Sequence, residues 1–400
     1  MDSFAIYLFI FAVGAFFVPV FKRWLFIPGV IGEILYGMLM QSVFPHSPED
    51  LYLIDFLAQM GFIFLMFLAG LEINFDYFSK EKILYAALAV ITLYFCSYLV
   101  WVLLDKPVGI FSILLISAVS VGIPFIAIKN ARLEKTSLGQ NLILIASAGE
   151  LFSIVGMILF EVYQHSGDAN SVSIIKNLGG IILLVLGAYV LIRLILLFFW
   201  WSPGSVKGLA EEGDTSELSV RLSFLLLMSM VAMAAYFKLE LILGAFIGGM
   251  ILSYIFRNKA DLEKKLSSIG YGFFIPFFFI KVGWDFRFTP DGFQASIQIA
   301  LILYAVILIL RGIISMGFIP SLIENSKRVI VKSVVGITLL LAAPLTMLVA
   351  IGKLGYSLEV LDETTYNGVI LCSMLGGIIG SLGFKFFFRS SVHFRNSNGS

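Results

Sequence analysis

The sequence predicts an all-α, polytopic membrane protein of about thirteen transmembrane helices, built as two inverted six-helix repeats with crossed broken helices. Three observations predict it. Hydrophobic residues make up 60% of the chain and charged residues only 13%, whereas soluble domains carry about 25% charged residues. Apolar stretches of roughly bilayer-crossing length recur along the whole chain. Finally, stretches of the first half return in the second half after an odd number of spans.

The apolar spans lie near residues 4–22, 26–43, 53–71, 82–104, 109–128, 138–163 and 174–201, then near 219–237, 239–256, 266–284, 293–320, 327–351 and 364–388. They divide the chain into a first repeat (1–173), a connector helix with a polar linker (174–218), a second repeat (219–388) and a tail (389–400). The first span has no basic leader, so no cleaved signal peptide is expected. Connections after the odd-numbered spans, with the tail, hold 19 of the 27 Lys and Arg residues, and the opposite connections hold five. The positive-inside rule then places the N-terminus outside and the C-terminus in the cytoplasm of a cell membrane, the bacterial inner membrane by expectation. Three basic residues remain inside spans: Arg193, Lys281 and Arg311.

Enzyme chemistry is not expected. Cys96 and Cys372 fall in apolar segments and imply no disulfide framework. His46, His165 and His393 are far apart and lack metal-ligand spacing. Neither a cofactor nor a nucleic-acid partner is indicated.

The repeat rests on three ordered matches. "IGEILYGMLMQSV" in span two aligns with "LGAFIGGMILSYI" in span nine, and "FLAGLEINF" with "IKVGWDFRF". "SVGIP" aligns with "LLAAP", making Pro124 and Pro344 counterparts. Each pair crosses seven spans, and an odd number inverts the second copy in the membrane. A mid-span proline removes an N–H and crowds the carbonyl four residues back, so the carbonyls of Ser120 and Leu340 are expected to leave the helix ladder. Freed carbonyls at membrane depth need protein or a polar cavity around them, and such broken helices serve small ions.

Glu150 is the most costly residue of the sequence. It interrupts "LILIASAGELFSIVGMILF", and a charge at a span's centre costs about 2.5–3.5 kcal/mol on insertion scales. Ser147 and Ser153 stand three residues to either side, on the same helical face. Ala146, Gly149, Ser153 and Gly156 form a small-residue stripe that lets another backbone approach. The counter-charge is Arg311 at about midplane depth, and a static Glu150–Arg311 ion pair is the purely structural alternative to an ion path. Among the other charges, Arg193 can snorkel and Lys281 is expected to pair with Asp285 four residues on. Glu33 and Glu72 either border an ion path or brace helix ends. Glu240 opens span nine, where a carboxylate suits a helix N-terminus.

"IPGVIGEILYGMLM", "LAQMGFIFLMFLAGLEINF", "LELILGAFIGGMILS" and "FFFIKVGWDF" resemble signature stretches of the monovalent cation/proton antiporter superfamily, in its branch of bacterial sodium/proton antiporters and potassium-efflux systems. The resemblance covers nearly the whole chain. It implies a carboxylate on the sixth span that exchanges proton for cation, a basic residue facing it from the eleventh, and crossed breaks in spans five and twelve. By position these are Glu150, Arg311, Val119 with Ser120, and the Pro124 and Pro344 breaks; the monovalent cation would be held by Glu150 and Ser120. The resemblance also implies a homodimer and a moving bundle of spans 4–6 and 11–13. Two positions depart from the family pattern: Gly149 precedes Glu150 where a second acid or amide is usual, and Val119 replaces a threonine. One carboxylate in place of two favours electroneutral exchange of Na⁺ or K⁺ for a proton. A gated potassium conduit and a non-transporting sensor or scaffold share the same fold; the short polar connections, which leave no regulatory domain, count against the conduit.

Overall fold

The computed structural model describes residues 2–25, 29–44, 52–72, 80–103, 109–131, 133, 136–165, 171–201, 217–237, 239, 241–256, 260–286, 290–318 and 327–392. Most of the polar linker, the last eight residues, His46, His393 and Glu240 lie outside them. Among the described residues there is no strand. The helices are α1 (Asp2–Leu25), α2 (Gly29–Val43), α3 (Tyr52–Glu72), α4 (Lys80–Leu103), α5 (Phe111–Ser117), α6 (Gly122–Asn130), α7 (Ser137–His165) and α8 (Ser171–Trp201). After the linker come α9 (Leu218–Tyr236), α10 (Leu241–Ile255), α11 (Ala260–Ile269), α12 (Ile275–Trp284), α13 (Pro290–Phe318), α14 (Lys327–Leu341), α15 (Leu345–Ser357) and α16 (Glu363–Val392).

Eight of the resulting segments are long and apolar enough to cross a membrane, and five shorter apolar helices accompany them. Those thirteen match the thirteen apolar spans of the sequence. Three spans are made of two pieces: α5 with α6, α14 with α15, and α11 with α12. The last pair is joined by a π-helical turn over Gly270–Phe274, where two glycines weaken the α-helical ladder. Large apolar side chains face outward all along the helices, among them Phe9, Phe16, Leu225 and Ile309. In water such a surface would be an aggregation liability, but against lipid tails it is the required one. Arg193 donates to the Tyr189 hydroxyl at 2.9 Å, one turn back along the exposed side of α8, so its head points along the span and not toward the inner end, as snorkelling would require.

The chain forms two compact units, each drawing on both halves of the sequence. One comprises Met1–Val20, Glu33–Phe75 and Glu161–Trp284; the other comprises Phe21–Gly32, Asp76–Phe160 and Asp285–Ser400.

In the first unit, helices touch backbone to backbone at glycines. A β-carbon on Gly37 would stand 2.0 Å from the Ile280 carbonyl oxygen and 2.9 Å from the Trp284 nitrogen. One on Gly249 would stand 2.0 Å from the Phe67 oxygen and 2.8 Å from the Leu71 nitrogen. The sequence alignment equates Gly37 with Gly249, Ile280 with Phe67 and Trp284 with Leu71, so each contact is the repeat image of the other. Gly70 against Phe246 and Met250, and Gly283 against Ile34 and Met38, repeat the relation from the partner side. Around these contacts Phe11 packs on Trp284 with ring centroids 5.2 Å apart, within a core of Tyr7, Ile54, Phe277 and Ile280. Lys281 meets Asp55 of α3 at 2.9 Å, rather than being explained by Asp285 alone.

The second unit surrounds the two broken spans. Val119, Val121, Ile128, Ala146, Ile314, Ile337 and Leu340 share one buried cluster, so the unwound backbone sits in an apolar interior. Asp285, at the start of this unit's last segment, receives the ammonium of Lys353 from α15.

Candidate functional site

The first break is a stretch of backbone with no helical partners. Helix α5 ends at Ser117, Ala118 turns extended (φ −50°, ψ 127°), and α6 starts at Gly122. Pro124 therefore sits in the first turn of α6, where an N–H has no intrahelical acceptor in any case. This corrects the expectation that Pro124 interrupts a running helix: the interruption lies upstream, at 118–121, with the Ser120 carbonyl inside it and outside the helix ladder. Pro344 acts similarly, as the residue that starts α15, its carbonyl accepting from Leu348 N–H at 2.8 Å.

Four named groups satisfy the first break. Arg311 Nη2 donates to the Ser117 carbonyl at 3.1 Å and also to the Ala118 carbonyl. Val119 N–H donates to Ser153 Oγ at 3.2 Å, and that hydroxyl donates in turn to the Gly149 carbonyl at 2.8 Å. Val121 N–H donates to Glu150 Oε2 at 3.2 Å. The Ser120 and Thr346 hydroxyls are hydrogen-bonded to each other. The signs follow the half-helix dipoles: a cation closes the carbonyl end of α5, and a carboxylate closes the N–H end leading into α6.

Burial makes these bonds consequential. Glu150 is 4% exposed, Arg311 2%, Ser120 3% and Ser153 1%. An unmet polar group at such depth would cost about 1–3 kcal/mol. Arg311 Nε and Nη1 nonetheless have no hydrogen-bond partner among the described residues. Arg311 and Val119 also line a cavity of about 20 Å³ with Ala89, Val90 and Leu93, room for about one water.

The structure thus brings together Glu150, Ser153, Val119, Ser120 and Arg311 around one unwound segment. Arg311 bonds two carbonyls and Glu150 a backbone N–H, so the two charges act on opposite ends of that segment. Ser147, expected as a ligand, is buried and forms no hydrogen bond to the break among the described residues. Glu72 and Lys281 belong to the first unit, whereas the break and its four partners belong to the second. The sequence reading missed two residues. Thr346 carried a usable signal, as a hydroxyl two residues after the paired proline in an otherwise apolar run. Tyr94 of α4 carried none: its buried hydroxyl, without a hydrogen-bond partner among the described residues, stands 3.3 Å from where a β-carbon on Gly156 of α7 would lie, a proximity that only folding creates.

Comparison with known proteins shows the family. The pattern of the family described as "Sodium/hydrogen exchanger, transmembrane" matches residues 12–390. A Bacillus subtilis protein named as a candidate Na⁺/H⁺ antiporter is 27% identical over 397 residues, covering 93% of this chain and 61% of the relative. The chain thus spans about three fifths of that protein's length. A Na⁺/H⁺ antiporter of Enterococcus hirae is 25% identical, covering 90% of this chain and 92% of the relative. A Na⁺/H⁺-K⁺ antiporter of Bacillus cereus is 25% identical, covering 73% of each. The chain belongs to the transmembrane sodium/hydrogen exchanger family.

Proposed function

We propose that the protein exchanges a monovalent cation, Na⁺ or K⁺, for a proton by alternating access at one carboxylate, Glu150, with no net charge moved. The observation that carries this reading is a buried carboxylate held on an unwound N–H, with its basic partner turned to the opposite end of the same break. Glu150 holds the N–H end of the break while Arg311 holds its carbonyl end, and proton and cation compete for Glu150.

A protonated Glu150 is neutral and tolerates the dry interior. On losing the proton it binds a dehydrated cation, and the hydroxyl oxygens of Ser120 and Thr346 replace part of the water shell. Because either ligand neutralises the same carboxylate, only loaded forms cross the membrane cheaply, and the two fluxes are coupled. Arg311 keeps the carbonyl end of α5 closed throughout. The unit made of 76–160 and 285–400 holds every one of these groups and corresponds to the bundle expected to move. The relatives' names, Na⁺/H⁺ and Na⁺/H⁺-K⁺ antiporter, support the substrate class. The repeat division at 1–173 and 219–388, a homodimer, and a cell-membrane location with the C-terminus in the cytoplasm complete the proposal.

The test is flux in liposomes holding a pH dye, pulsed with Na⁺, K⁺ or Li⁺. Wild type is expected to move protons in response to at least one of these cations, and Glu150→Gln to lose the response while remaining folded. Equal flux in both proteins would refute the assignment of Glu150. Flux of cation without protons would favour a conduit.

A further inference from the structure

We infer that Val119 restricts the site to a single carboxylate by occupying the space that any side chain at position 149 would need. A β-carbon built on Gly149 would lie 2.7 Å from Val119 Cβ, 2.7 Å from Cγ2 and 2.8 Å from Cγ1, where ordinary contact begins at 3.4 Å. Three atoms of one rigid, β-branched side chain thus overlap the same position. Val119 has no room to yield. Its own N–H is held by Ser153, the carbonyl before it by Arg311, and its side chain is 5% exposed within the cluster that includes Ile116, Ile314 and Leu340.

Position 149 is the immediate neighbour of Glu150 on α7 and faces the unwound backbone at 119. A second acid there would share the break with Glu150. The charge balance follows directly. With one carboxylate, one proton leaves as one monovalent cation binds, and no charge crosses. With two carboxylates and one cation, two protons leave for each cation, and one net charge crosses per cycle. Val119 and Gly149 therefore act as a coupled pair that sets the charge moved per cycle, an inference that rests on exchange at Glu150. The relief of the overlap must come from Val119→Gly, because Val119→Ala would keep the β-carbon at 2.7 Å.

Two measurements test the inference. The first is a thermal-unfolding cycle on the full chain in detergent with Gly149→Ala, Val119→Gly and the double variant. Gly149→Ala is expected to lower the melting temperature in the wild-type background and not in the Val119→Gly background; equal shifts in both would overturn the inference. The second is current on a solid-supported membrane after a cation pulse. Wild type is expected to give no steady charge movement, and Gly149→Asp combined with Val119→Gly to give one. An active double variant as electroneutral as wild type would overturn the inference, and if that variant does not transport, the thermal cycle alone decides. Absence of cation-driven proton flux in wild type would instead remove the exchange reading, while the thermal cycle still tests the packing.

Discussion

Replacing Ser153 by alanine tests whether the break is held by the groups described. Its hydroxyl accepts from Val119 N–H at 3.2 Å and donates to Gly149 O at 2.8 Å, so both of its hydrogen-bonding functions are in use. The Gly149 carbonyl also serves the α7 ladder and loses little. Val119 N–H, buried outside any helix, loses the partner it has, which costs about 1–3 kcal/mol. At 1.4 kcal/mol per factor of ten, local opening of the break becomes about 5-fold to about 150-fold more frequent. Hydrogen–deuterium exchange of the segment around 118–121, followed by mass spectrometry, reads that factor directly. Ser147→Ala is the matched control, since Ser147 is another buried serine of α7 without a bond to the break among the described residues, and it should leave exchange at 118–121 unchanged. Unchanged exchange in Ser153→Ala, or an equal rise in both variants, would refute the account of how the unwound backbone is satisfied.

Other outcomes follow from the same geometry. Thr346→Val removes a hydroxyl at nearly constant shape and should raise the half-saturating cation concentration about 2-fold to about 10-fold, the worth of one hydrogen-bonding group; Thr346→Ser should restore it, as initial-rate flux measurements would reveal. Gly249→Ala forces a β-carbon to within 2.0 Å of the Phe67 carbonyl and should destabilise by about 1–3 kcal/mol, and Gly37→Ala should match it because the repeat relates the two contacts; melting curves that differ widely between the two would contradict that relation. Proton and cation compete for Glu150, so at pH values below its titration the half-saturating cation concentration should rise about tenfold for each unit of falling pH, with the maximal rate far less affected; a cation affinity independent of pH would speak against a shared site.

The sequence by itself determined the class of protein, the number of spans and the residues worth suspecting, because these depend on local quantities. Mean hydropathy over a bilayer-length window needs no partner, and the thirteen spans lie within about six residues of the observed helix ends. Even the repeat register was legible, since Gly37 with Gly249 and Gly70 with Gly283 mark places where two backbones come too close for a β-carbon, and such places leave glycines behind. Glu150 and Arg311 stood out because charges in apolar runs are expensive wherever they point. The tertiary structure decided what those charges touch. Their depths marked them as counter-charges, and only the folded, unwound segment showed that Arg311 meets two carbonyls and Glu150 an N–H. Proline marked each break without fixing its position, because in the first turn of a helix the missing N–H costs nothing. Thr346 and Tyr94 come from other helices, and the fit of Val119 against Gly149 joins positions thirty residues apart. Such contacts are relations between surfaces, and they come into existence only when the helices pack.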